Sequence, residues 1–168
     1  AAGFPARELP EAVRHEARRA LVNGFATALA GWDDPALRAA GSLYARFRAP
    51  GRCTVIGRSE PTDALHAASL NAMAVNVFDF DDTHLPTIIH PTAPVMPAVF
   101  AWAQTRPVSG AALLSAFALG MEVECRLGDA VSPWHYARGW HITSTCGVFG
   151  AAVAAGALLG LDETRMRW

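Results

Sequence analysis

ITSTCGVFGAAVAAGALLGL, residues 142 to 161, runs twenty positions without a charge, and how it is read decides the fold. About 20 uncharged residues is the length that crosses a bilayer, and Gly156 and Gly160 form a GxxxG step of the kind that packs membrane helices. Composition argues the other way. The run is built from alanine, glycine and threonine rather than leucine and isoleucine, and it lacks the basic and aromatic asymmetry that flanks a membrane span. Small residues permit close helix packing in water too, so the run reads as a helix packed inside an all-α domain.

The segments around it read as helices as well. SGAALLSAFALGMEVECRLGDAV, residues 109 to 131, opens with a serine N-cap and continues as a long buried helix. Residues 9 to 30 carry Leu9, Val13, Ala17, Ala20, Leu21 and Ala28 at helical spacing, with Pro10 at the start and Gly31 at the end. Asp34 to Phe47 predicts a second helix, residues 50 to 57 only a brief strand or extended link, and Asp63 to about Asp82 a further helix entering the core. Pro86, Pro91, Pro94 and Pro97 make residues 83 to 92 an ordered loop that leads into a helix from about Ala93 to Thr105. SPWHYARGWH is expected to be a loop, and Asp162 to N-cap a last helix.

With 168 residues, 52% of them hydrophobic and 17% charged, the chain is expected to form one globular helical domain, residues 1–168, and not a disordered one. The formal charge of −1 carries no footprint for nucleic acid. Every basic residue is arginine, which excludes a lysine Schiff base or a phosphate-cradling lysine from within this sequence. Cys53, Cys125 and Cys146 are too far apart for a CxxC site and read as buried free thiols, which suits a reducing, cytoplasmic location. No signal-peptide pattern opens the chain, and it looks cut at both ends.

Titratable chemistry is concentrated in NVFDFDDTHLPTIIHP, residues 76 to 91. On a continuous helix Asp79, Asp82 and Thr83 share a side, while Asp81 is turned about 200° from Asp79 and reads as structural. From Ser59 through Thr105 there is no arginine, so carboxylates near a helix C-terminus need protonation, a metal, or cations brought from elsewhere. RGWHITST, residues 138 to 145, offers Arg138 and His141 at the mouth of the uncharged helix, where exposed N–H groups suit a substrate carboxylate and histidine can move a proton. His141 as a mere helix cap is the competing reading. A site for manganese, iron or zinc at DFDDTH and His90 is the rival chemistry, which would make a metal-dependent hydrolase. No ligand motif of the HExxH kind supports it, and no metal is expected. A non-catalytic helical interaction module is the remaining alternative. His15, His66, His84 and His135 have weaker claims.

NAMAVNVFDFDDTH, HPTAPVMPAVFAWAQ, SGAALLSAFALGMEVECRLGDAV and RGWHITSTCGVFGAAVAAGALLGLDE, in that order, resemble the MmgE/PrpD family of 2-methylcitrate dehydratases, cis-aconitate decarboxylases and related epimerases. The resemblance implies the N-terminal helical portion of a longer two-domain, homodimeric, cofactor-independent lyase acting on a small di- or tricarboxylate. It assigns catalytic positions to Asp79, Thr83, His90 and His141, with Arg138 and Asp82 as expected substrate contacts. It also implies that a lysine and other groups come from sequence beyond these residues, so that the isolated chain is inactive. Which polycarboxylate is bound stays open, as does the choice of dehydration, decarboxylation or epimerisation.

Overall fold

The computed structural model describes residues 9–167. Among them are eight helices and no strand: α1 Glu11–Gly31, α2 Pro35–Tyr44, α3 Ala64–Asn76, α4 Thr92–Ala103, α5 Gly110–Val131, α6 Trp134–Ala137, α7 Ile142–Leu159 and α8 Glu163–Arg167. The starts are set by side chains that accept the otherwise orphaned first N–H groups. Asp34 accepts from Ala36 N at 2.8 Å with Pro35 as the first helical residue, Ser109 from Ala112 N at 3.1 Å, and Asp162 from Arg165 N at 2.8 Å. Asp63 accepts from the backbone N–H groups of both Leu65 and His66 at 3.1 Å.

Helix α7 packs along α5 and against α4; α4 in turn lies on α3, and α3 on α1. The uncharged run is thus a packed helix whose small residues set the approach. Gly120 of α5 and Gly150 of α7 face each other so closely that a Cβ at either would lie 2.7 Å from the other's carbonyl oxygen. Around this crossing Val95, Met96, Val99, Phe117, Leu119 and Ala154 form the main core. Among the described residues α7 is also the one helix long and apolar enough to cross a membrane by length and composition. The extended segment 50–62 is held by a smaller cluster of Cys53, Val55, Ala67, Leu70 and Ala101. The buried Asn71 amide pins it to α3, accepting from Ile56 N at 2.8 Å and donating to Thr54 O at 2.9 Å.

Two expectations fail locally. The helix expected to reach Asp82 ends at Asn76, and Asp79 takes a left-handed φ of +56°. Three aspartates in four residues cannot extend a helix C-terminus without opposing its dipole, and aspartate tolerates the left-handed turn better than most residues. SPWHYARGWH is not wholly a loop, since Trp134–Ala137 make one helical turn.

Gly120→Ala is expected to destabilise the protein by about 1–3 kcal/mol through overpacking, because its Cβ would also meet Val95 Cγ1 at 2.6 Å. Gly110→Ala, where nothing lies within 4 Å, is expected to leave stability unchanged or raised. Urea unfolding of the two variants checks this pair.

Candidate active site

The early end of α3 rearranges the acidic run. Freed from a helix, residues 77–91 fold back so that His90 reaches two of the aspartates. Its Nε2 lies 3.3 Å from Asp79 Oδ1 and its Nδ1 3.2 Å from Asp81 Oδ1. The two carboxylates differ in kind, because the Asp79 side chain is 82% exposed and that of Asp81 is 0% exposed. Burial pushes the Asp81 carboxyl up, opposed by the Asn76 hydrogen bonds and by His90. Asn76 Nδ2 donates to both Asp81 oxygens at 3.2 and 3.3 Å. The Thr83 hydroxyl donates to the Asp81 carbonyl at 3.2 Å and sits 3.4 Å from His90 Nδ1. Nδ1 thus faces buried Asp81 and the Thr83 hydroxyl, while Nε2 faces the exposed Asp79 carboxylate.

The loop between Thr83 and His90 is held rigidly. His84 N donates to Ile89 O and Ile88 N to His84 O, both at 2.8 Å, and the His84 ring pairs with the Thr87 hydroxyl at 2.8 Å. Ile88 pays for this closure with a φ of +54°, an outlier for a β-branched residue.

Asp82 does not join Asp79. Its carboxylate turns inward and accepts from Thr92 Oγ1 at 2.7 Å and Thr92 N at 3.3 Å, while its own N–H donates to Asn23 Oδ1 at 3.1 Å. It therefore caps the N-terminus of α4 and ties the loop to α1, and burial pushes its carboxyl up, opposed by the Thr92 hydrogen bonds. The shared face of Asp79, Asp82 and Thr83 does not form, because the helix that would have built it stops at Asn76.

His141 stands at the N-cap of α7, exposed, its Nδ1 accepting from Ser144 N at 3.3 Å. The capping and functional readings thus coexist in one residue. Two residues on, the Thr143 hydroxyl accepts from His90 N at 3.1 Å, which binds the first turn of α7 to the His90 loop. A hollow of about 370 Å³ is lined by His141, Thr143, Ser144, Asn76 and Pro94, so His141 shares it with the amide that holds Asp81. Arg138 lies exposed after α6, before Gly139 at φ +89°. His135 anchors that loop by pairing with Thr145 Oγ1 at 2.7 Å and stacking on Trp140. Direct contacts therefore unite Asp79, Asp81, Thr83 and His90, while His141 is linked through Thr143 and Arg138 only through its loop.

The ligand atoms of Asp79, Asp81 and His90 lie within 4.8 Å of one another, so a cation could be imagined there. The donor set suits it poorly. A cation there would take an oxygen from each carboxylate and a single ring nitrogen, whereas the two carboxylates face different ring nitrogens. The arrangement suits hydrogen bonding and proton exchange better.

A second buried acid lies behind the site. Glu124 of α5 is fully buried beside Gly147 and Gly150, neither of its oxygens has a partner among the described residues, and burial, then Asp82, pushes its carboxyl up to about 9.

These features define an all-helical scaffold carrying an acid–base cluster where a helix end, a strained loop and a helix start meet. The chain belongs to the MmgE/PrpD family: residues 1–168 match its N-terminal domain. It is similar to cis-aconitate decarboxylase of Aspergillus terreus, 30% identical over 169 residues that cover 95% of this chain and 34% of the relative. It is also similar to the human cis-aconitate decarboxylase, 37% identical over 113 residues covering 61% of this chain and 22% of that protein, and to the mouse one, 37% identical over 123 residues covering 68% and 24%. The chain thus spans about a third of the length of the first of these relatives.

Glu124 sets the expected pH dependence of stability. Its folded pKa of about 9 lies above the unfolded 4.5, so between those values the folded state holds a proton the unfolded state has lost. Glu124's contribution to stability is fully present below the lower value and falls as pH rises toward the upper one, by at most about 1.4 kcal/mol per pH unit. Denaturant unfolding at pH 5.5 to 8.5 should show this decline, and Glu124→Gln, which carries no titrating proton, should flatten it.

Proposed function

We propose that this chain supplies one face of the active site of a lyase that acts on a small di- or tricarboxylate by proton transfer at a carbon next to a carboxylate. The observation that carries this reading is the His90 imidazole set between exposed Asp79 and buried Asp81, within one residue contact of the α7 start that bears His141. The similarity to cis-aconitate decarboxylases favours decarboxylation of a cis-aconitate-like substrate, with dehydration of a 2-methylcitrate-like one as the next activity to assay.

In this reading His141 moves the proton at the substrate carbon. Its Nδ1 is taken up by the Ser144 N–H, which leaves Nε2 for the substrate. Asp79 and His90 exchange the compensating proton at Nε2 of the ring, and the Thr83 hydroxyl, exposed beside it, orients a substrate oxygen. Loss of carbon dioxide leaves an electron pair delocalised toward the remaining carboxylate, and a proton delivered to carbon completes the reaction. Arg138 can pair with a substrate carboxylate through two parallel hydrogen bonds. These residues carry no lysine, so further cationic groups are proposed to come from sequence outside the 168 residues. No cofactor is required for the proton transfers described.

In a protein extended to the relatives' length, His141→Ala is expected to lower turnover of cis-aconitate by about 10²–10⁴-fold, the range of general acid–base catalysis. Asp79→Asn keeps the left-handed turn, which asparagine tolerates, and is expected to lower turnover while the fold persists. Product formation followed by proton NMR, with circular dichroism as the folding control, measures both. Undiminished turnover in folded His141→Ala would remove His141 from the mechanism, and turnover by residues 1–168 alone would contradict the divided site.

A further inference from the structure

At the opposite end of α3 from the acid–base cluster lies a cavity of about 440 Å³, bounded by α2, the segment 55–62 and the first turns of α3. From His66 to Asn76 the helix advances about 15 Å, at about 1.5 Å per residue. None of Asp79, Asp81, His90 or His141 lines this cavity.

Its polar wall is cationic. Arg48 and Arg58 both line it, and the one carboxylate on the wall, Glu60, is an exposed side chain reaching Arg48 at 3.5 Å. Arg58 makes no ion pair among the described residues; its Nη2 donates to Leu37 O at 3.2 Å and its guanidinium lies against α2. The fold makes room for that placement at Gly41, where a Cβ would come 2.5 Å from Arg58 Nη1. A guanidinium has five N–H donors, so most of those on Arg58 remain unused.

His66 completes the wall and is oriented by a built contact. Its Nδ1 lies 2.6 Å from Asp63 Oδ2. Burial raises the Asp63 carboxyl, but the hydrogen bonds from the His66 side chain and backbone outweigh it and bring the group down to about 2. Asp63 is thus a fixed anion holding Nδ1–H, and Nε2, the other ring nitrogen, has no partner among the described residues. Val55, Leu70 and Trp32 supply an apolar side to the same cavity.

We propose that this cavity is a binding site for a small organic oxyanion, a carboxylate or phosphate held by the Arg58 and Arg48 guanidiniums, with His66 Nε2 on a neighbouring oxygen and a compact apolar body against Val55, Leu70 and Trp32. Glu60 pairs with Arg48 and Asp63 with His66, so Arg58 is the guanidinium on this wall with no carboxylate partner among the described residues, and bidentate guanidinium pairing suits both head groups. The aspartate-fixed imidazole adds a directional contact that a merely solvated arginine face would not have.

The test is isothermal titration of the protein with butyrate and, separately, with inorganic phosphate, while the His66 and Arg58 side-chain signals are followed by NMR. Saturable binding of either probe that moves those signals is expected, and the tighter probe identifies the head group. Arg58→Gln should weaken binding by about 10-fold or more, the effect of losing a charge-assisted pair. His66→Gln should weaken it less, and His90→Ala should leave it unchanged. Absence of saturable binding by both probes would overturn the proposal, as would binding unaffected by folded Arg58→Gln and His66→Gln. Binding lost in His90→Ala but retained in those two variants would assign the anion to the acid–base cluster and overturn it equally.

Discussion

An imidazole with a carboxylate at each nitrogen has its orientation set from both sides, and the placement of His90 between Asp79 and Asp81 is the constraint around which the surrounding chain is arranged. To create it, α3 must stop at Asn76, Asp79 must turn left-handed, and the loop 84–89 must close tightly enough to hold Ile88 at positive φ. Asn76 is the last residue of the helix and the donor that satisfies both oxygens of buried Asp81, so helix termination and site construction are one event. The same economy holds at Asp82, whose carboxylate starts α4 and whose N–H reaches back to α1. Three neighbouring aspartates thus do three different things, one exposed to solvent, one buried against the ring and one capping a helix.

Much of the fold was legible because its signals are local. Alanine- and glycine-rich periodicity, serine and aspartate caps, and prolines at helix starts act within a few residues, and α1, α2, α4, α5 and α7 fall close to where they were expected. That residues 142–161 pack inside the domain was legible in their small residues; the partner, α5, and the Gly120–Gly150 approach were not. The site was legible as a cluster but not as a geometry. A helical wheel grouped Asp79 with Asp82 and set Asp81 aside, whereas the chain leaves the helix three residues before the first of them. The density of carboxylates at a helix C-terminus was itself the signal for that break, since the dipole disfavours them there. Of the compensations expected, protonation, a metal or cations from elsewhere, none named the neighbour the fold supplies: His90, eight residues beyond Asp82, lies within 3.3 Å of both Asp79 and Asp81.

Behind this polar arrangement the protein keeps a carboxyl, Glu124, without a partner among the described residues, beside the close α5–α7 crossing. Buried acids without partners are held neutral, so folding with Glu124 in place depends on a proton. Membership of the MmgE/PrpD family gives the helical scaffold its context, and the proposed lyase chemistry rests on the side chains gathered at its edge. The Asp81 side chain, buried and in contact with the ring of His90, suits a positioning role in that proposed chemistry.

The central claim is that buried Asp81 keeps Nδ1 of the His90 ring turned inward and leaves Nε2 facing Asp79. Long-range ¹H–¹⁵N correlation of the His90 ring across a pH titration tests it most directly. The account predicts Nδ1–H as the tautomer of the neutral ring, its proton on the side of buried Asp81 and Thr83. A neutral ring protonated on Nε2, with Nδ1 bare toward Asp81, would contradict it.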